Sequence, residues 1–144
     1  MKYPLSPNEF FEIYSKVPRL CVDIVIKSKD GILLAKRSIN PGKGFWHLPG
    51  GTVFKKEKIM DAVLRVAKEE TGLVVMPKKI LGYIEFLKEV RSGVGFHSVS
   101  IAVEVKPIGN DFRPDENASE LKYFKKIPSK ILKEHGEFLK NQRF

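Results

Sequence analysis

Apolar and polar positions fall into blocks with two distinct periods. Leu20-Cys21-Val22-Asp23-Ile24-Val25-Ile26 is apolar on both faces except for one acid, the pattern of a strand in the middle of a sheet. Lys29-Asp30-Gly31 predicts a hairpin turn, and Ile32 to Arg37 reads as the return strand, with Arg37 at its end. From about Lys58 to Thr71 the period becomes helical: Ile59, Val63, Val66 and Ala67 form a stripe, and Gly72 is placed as a C-cap. Val74, Val75 and Pro77 read as a connector. Ile80–Val90 and Phe96–Val105 read as long strands joined by a hairpin at Arg91-Ser92-Gly93-Val94-Gly95.

The two ends read as helices. Ser6, Pro7 and Glu9 make a capping-box start for a helix over about 6–17, apolar at Phe10, Ile13, Tyr14 and Val17 and stopped by Pro18. It is expected to lie over a sheet edge or a partner subunit. Beyond irregular residues 107–114 and a polar, acidic loop at 115–120, a short strand, 121–124, leads to an amphipathic helix predicted to start at Pro128. His135 on that helix is read as a surface or packing residue, and His97 as a satisfied structural histidine. Strands flanked by helices without repeated βαβ units predict an α+β layered domain. With no internal repeat or linker, the 144 residues are expected to form a single domain, 1–144.

Composition narrows the partners. The net charge of +9 suits polyphosphates or nucleic acid. The lysines, however, are spread among acids and no aromatic-basic recognition module is present, so no nucleic acid is expected. No long apolar run spans a membrane, and MKYPLSPNEF has no apolar signal core, which predicts a cytoplasmic protein. The one cysteine, Cys21, excludes an internal disulfide and is expected to be a packed side chain.

The candidate chemistry lies in GGTVFKKEKIMDAVLRVAKEETGL, residues 50–73. Glu69 and Glu70 close a helix where the macrodipole disfavours negative charge, and Arg65 lies one turn before Glu69. A divalent cation would compensate such acids; a solvated surface pair is the alternative. The Gly50-Gly51 corner permits a tight backbone whose carbonyls can approach a ligand. Asp23, an acid in a buried strand, needs a partner. It is either a ligand or sugar contact or a structural salt bridge.

Gly51, Glu57, Arg65, Glu69, Glu70, Gly72 and Leu73, with the lead-in GFWHLPGG, resemble the signature of the Nudix hydrolases. The resemblance implies the Nudix fold, a mixed β-sheet sandwiched between helices in an α/β/α arrangement. It implies hydrolysis of a nucleoside diphosphate linked to another group, with Mg²⁺ or Mn²⁺. Carried over residue by residue, Glu70 is the main metal ligand, Glu69 a second acid and Gly50 a main-chain ligand. Arg65 orients the glutamates and Glu57 braces the motif.

Val66 stands where the family has its first helix glutamate. It can neither ligate nor take a proton, so fewer metals are expected. The GDP-mannose mannosyl hydrolase branch is also apolar there and breaks the C–O bond at the sugar. LSPNEFFEIYSKVPRLCVD and LLAKRSINPGKGFWHLPGGTV resemble that branch. The likeness implies a sugar contact at Asp23, a diphosphate contact at Arg37, a substrate contact at Phe45 and a homodimer. Where the branch has Pro-Asp-Glu-Gln-His, this chain has Pro114-Asp115-Glu116-Asn117-Ala118. Asn117 can still offer an oxygen to metal, and Ala118 cannot act as base. Glu116 and Glu120 are the loop acids open to that role, with Glu120 the candidate of an ordinary pyrophosphatase. A non-catalytic nucleotide-sugar binding domain is the remaining alternative.

Overall fold

The computed structural model describes residues 3–40 and 42–142. In chain order the elements are α1 (Pro7–Tyr14), β1 (Arg19–Ser28), β2 (Gly31–Arg37), β3 (Trp46–His47), β4 (Gly50–Thr52), α2 (Ile59–Thr71), β5 (Val74–Arg91), β6 (Val94–Ile108), β7 (Ala118–Phe124) and α3 (Lys133–Asn141).

β1 is the central strand its sequence predicts, with Cys21 to Ile26 all buried. It runs parallel to β6 from Arg19 to Ile26, and β5 flanks β6 antiparallel at the sheet edge. On its other side β1 changes partner. Cys21–Asp23 pair with β4, whereas Lys27 and Ser28 pair with β2. Between them the Ile24 N–H donates to the Pro49 carbonyl at 2.8 Å. β2 carries β3 and β7 away as a second wing. Asp23 therefore sits at a fork in the sheet.

Alternation along β1 builds two cores. Val22, Ile24 and Ile26 face α2 and pack with Ala62, Val63, Val66 and Ala67. Val25 faces the other way and joins Leu34, Ala102 and Leu139 of α3. The result is the expected α+β sandwich of helix, mixed sheet and helix. Among the described residues no helix is long and apolar enough to cross a membrane.

α1 has the predicted capping box, with Glu9 N–H donating to Ser6 Oγ and Ser6 N–H to Glu9 Oε1. It ends at Tyr14 rather than Val17, and it lies on its own sheet, where Phe10 stacks on Phe96 at 6.3 Å. The connector at Val74–Pro77 is instead the start of β5. Pro77 is tolerated because it falls at a register irregularity on an edge strand. The hairpin turn tightens to Ser92 and Gly93, with φ of 50° and 76° between paired Arg91 and Val94, a two-residue turn needing positive φ at both positions. α3 begins at Lys133, not at Pro128. Ile131 first bridges Trp46, and the Leu132 N–H donates to the Trp46 carbonyl at 2.9 Å, holding that stretch extended. Two histidine readings are corrected. His135 is 3% exposed and hydrogen-bonded, and His97 has a buried Nε2 without a partner.

Candidate active site

α2 delivers Arg65, Glu69 and Glu70 to the β3–β4 corner, and Gly72 ends the helix with a φ of 77°. Arg65 is the hub of the first half. Its Nε donates to Glu57 Oε2 at 2.8 Å and its Nη2 to Glu57 Oε1 at 3.0 Å. Nη2 also donates to the Thr52 carbonyl at 2.8 Å, and Nη1 to Glu69 Oε2 at 3.1 Å. The guanidinium lies 3.7 Å from the Phe54 ring centroid. Two-point pairing of this kind is the strong form of the interaction, and it holds the Glu57 carboxyl below its ordinary range. The bracing of the motif by Glu57 and the Arg65–Glu69 pairing are thus visible as geometry.

Glu70 is placed differently. Burial and a hydrogen bond with the Asp115 side chain push its carboxyl from 4.5 up to about 9. Asp115 arrives from the loop before β7, where its Oδ1 also accepts from the Asn117 N–H at 2.9 Å. Arg37, at the end of β2, is half-buried. Its charge is felt at Glu70, and burial, the nearby Arg91 guanidinium and the acids Glu89, Glu70 and Asp115 set its own environment. The structure therefore gathers Glu70, Asp115 and Arg37, with the Glu89–Arg91 pair of β5 (3.0 Å) beside Arg37. Asp115, Glu89 and Arg91 were missed from sequence. The only signal for Asp115 was the acidity of its loop.

Asp23 has found the partner its burial demands. Its Oδ2 accepts from His135 Nε2 at 3.0 Å, and His135 Nδ1 accepts from the Leu48 N–H at 3.1 Å. With Nδ1 occupied as acceptor, the imidazole is neutral and its Nε2 hydrogen points at the carboxylate. His47 stands beside this pair, and burial drives its imidazole from 6.5 down to about 4. Gly50 pairs with Asp23 across β4. A Cβ on Gly50 would collide with Asp23 Oδ1 and lie 2.8 Å from the Val22 carbonyl oxygen, so only glycine fits. Gly51 is tight too: a Cβ there would come within 3.2 Å of Val66 Cγ2. Val66 itself is 2% exposed and belongs to the core against β1.

Other expected site residues lie further from this group. Phe45 is partly exposed under Lys130 Nζ, 5.6 Å from its ring centroid, and its carbonyl accepts from the Arg37 N–H at 2.9 Å. Asn117 is exposed, and its carbonyl accepts from the Ser38 N–H at 3.0 Å. Glu120 is exposed and pairs in register with Lys36. The loop carboxylate against Glu70 is Asp115.

These donors suit a hard divalent cation. Glu69, Glu70, Asp115 and the Gly50 carbonyl are all oxygen ligands. Among the described residues no three His, Cys, Asp or Glu side chains converge as a ready cage. That fits Mg²⁺, which keeps several waters and binds through one or two carboxylates plus substrate phosphates. The proton shared by Glu70 and Asp115 marks the position where positive charge is wanted.

Residues 17–138 match the family model of the NUDIX domain. The chain belongs to the Nudix family. It is 37% identical over 123 residues to the low-salt glycan biosynthesis protein Agl8 of Haloferax volcanii, covering 83% of this chain and 79% of that one. It is 35% identical over 126 residues to an ADP-ribose pyrophosphatase of Methanocaldococcus jannaschii, covering 86% of this chain and 72% of that one. A MutT Nudix hydrolase from Burkholderia pseudomallei has the same fold, with a TM-score of 0.75 at 26% identity over 86% of this chain and 97% of that chain. This Nudix chain is a hydrolase, and members of its family generally use divalent metal ions.

Proposed function

We propose that this hydrolase cleaves the diphosphate P–O bond of a nucleoside diphosphate sugar, with Mg²⁺ as the preferred ion and Mn²⁺ as a substitute. The observation that carries this reading is the Glu70–Asp115 carboxyl pair beside the half-buried Arg37. Glu70, Asp115 and the Gly50 carbonyl would hold the cation, with Glu69 reaching it directly or through water. The ion supplies charge neutralisation at the diphosphate. Arg37 faces the developing negative charge of the departing phosphate. Arg65 fixes the direction of Glu69. The similarity to an ADP-ribose pyrophosphatase favours this bond. So does the loop, where Ala118 cannot take a proton and Asn117 is exposed.

Cleavage of the glycosidic C–O bond of a GDP-mannose-like substrate is the second reading. It draws on Val66, on Arg37 and on Asp23 at the sheet fork. Against it, Asp23 is already engaged by His135. In either case the chain acts as one cytoplasmic domain and as a homodimer.

Product analysis after incubation with ADP-ribose, GDP-mannose and GDP-glucose separates the two. Sugar phosphate plus nucleoside monophosphate is expected. Free sugar plus nucleoside diphosphate would select the second reading, and no turnover with Mg²⁺ or Mn²⁺ would overturn both. Asp115→Asn is expected to lower kcat by roughly 10–100-fold, as loss of a metal-supporting group does, and Glu120→Gln to leave it nearly unchanged. The reverse pattern would return the loop role to Glu120.

A further inference from the structure

The exposed apolar residues of this chain are concentrated on one strand. Ile80, Tyr83 and Leu87 of β5 are 56%, 65% and 61% exposed, and Val74, Met76 and Val90 of the same strand are each about half exposed. β5 runs from Val74 to Arg91, and among the described residues its one sheet neighbour is β6. Register opposite Val103 and Ile101 puts Ile80 and Tyr83 on the face that α2 covers over β1 and β6. α2 stops short of β5, and that part of the face is bare.

We propose that this bare face and edge of β5 is the surface on which a second copy of the chain docks. The proposal deepens the homodimer reading above and rests on it, but not on the hydrolase reading. Three observations favour a second copy. The first is area. With about half of each side chain's ~150–200 Å² in water, the six residues present on the order of 500–600 Å². That lies at the top of the range for a monomer's largest apolar patch, about 300–600 Å². With the strand's own edge it approaches the ~800 Å² per partner of a standard interface. The second is how the edge is guarded. Lysines commonly blunt an exposed edge strand. Here Lys78, Lys79 and Lys88 bracket the segment Ile80-Leu81-Gly82-Tyr83-Ile84-Glu85-Phe86-Leu87 and leave it without a lysine. The third is charge. A two-fold contact brings the same patch of both copies together. With the strands antiparallel, the off-centre Glu85 of one copy lies toward the Lys78–Lys79 end of the other, so the segment complements itself.

Light scattering behind size exclusion and sedimentation of the wild-type chain should report a dimer at micromolar concentration. Tyr83→Glu combined with Leu87→Glu removes two anchors and should weaken dimerisation about a hundredfold or more. Both side chains are mostly in water in the monomer, so the far-UV circular dichroism and melting profile of this variant should show a folded chain. Ile13→Glu on α1, the surface expected from sequence, should leave the dimer intact. A wild-type chain that is monomeric throughout overturns both the surface and the homodimer reading. A dimer that survives the β5 changes but is lost in Ile13→Glu overturns the surface alone. As a second readout, Leu87→Cys should form an interchain disulfide under mild oxidation, since Cys21 is buried. Failure to crosslink in a dimer also counts against this face. None of these measurements involves substrate, so their failure cannot be confused with failure of the enzymatic assignment.

Discussion

Arg65 and Glu70 lie little more than one helical turn apart on α2, and they meet their surroundings in opposite ways. Every direction of the Arg65 guanidinium is answered: Glu57 by two bonds, Glu69, the Thr52 carbonyl and the Phe54 ring. Glu70 is answered by another acid, and the pair is reconciled only by holding a proton. A closed network fixes geometry and gains nothing from a ligand. An open one is poised for whatever supplies positive charge without needing a proton. The first half of the motif is scaffold and the second half is the working site.

Breaking the open half should have the largest effect on turnover. Glu70→Gln keeps shape and hydrogen bonding but removes the charge that holds a cation. Several kcal/mol of transition-state stabilisation from the metal are then at stake, about a thousandfold in kcat. Stability should move the other way, because the variant no longer places two acids together. Steady-state kinetics with thermal melts of the metal-free protein at pH 8 check both. A variant that loses turnover and also melts earlier would mean Glu70 is scaffold like Arg65, and the contrast would vanish.

Breaking the closed half should first cost stability. Arg65→Ala strands Glu57, whose side chain is 11% exposed, and leaves the Thr52 carbonyl without its donor. Removing one partner of a largely buried ion pair costs about 3 kcal/mol, several degrees in Tm for a chain of this size. Denaturant melts should show it with or without Mg²⁺. A loss of turnover with the melt unchanged would place Arg65 in the chemistry.

What sequence could disclose follows the same division. β1, α2 and the two caps are local patterns, and their periodicity and end residues speak for themselves. Arg65–Glu69 is one helical turn and was legible for that reason. Asp115 against Glu70 and His135 against Asp23 join residues far apart in the chain, the latter by 112 positions, and no spacing rule reaches across a loop of arbitrary length. Asp23 shows the limit well. Its burial announced that a partner must exist, and nothing local named a histidine on the last helix. Pro77 misled because proline argues against a central strand, and β5 is an edge.

The smallest expected effect is the most discriminating, because it reads the shared proton directly. Glu70 has its carboxyl raised from 4.5 to about 9 in the folded chain. Between those values the folded state binds more proton than the unfolded one. The contribution of this group is therefore fully present below pH 4.5, and it is lost as pH rises through about 9. His47, lowered from 6.5 to about 4 by burial, acts on the other limb. Its contribution is present above pH 6.5 and lost as pH falls through about 4. The metal-free wild type should thus lose stability steadily from about pH 6.5 toward 9, and Glu70→Gln should flatten that alkaline slope while leaving the acid limb. Added Mg²⁺ should restore the wild type most at the alkaline end, since the cation binds only once the proton has left. Calorimetric titration in buffers of different ionisation enthalpy would count the proton released. A metal-binding enthalpy that does not vary with buffer would mean the two carboxyls share no proton, and the open half of the motif would be as settled as the closed one.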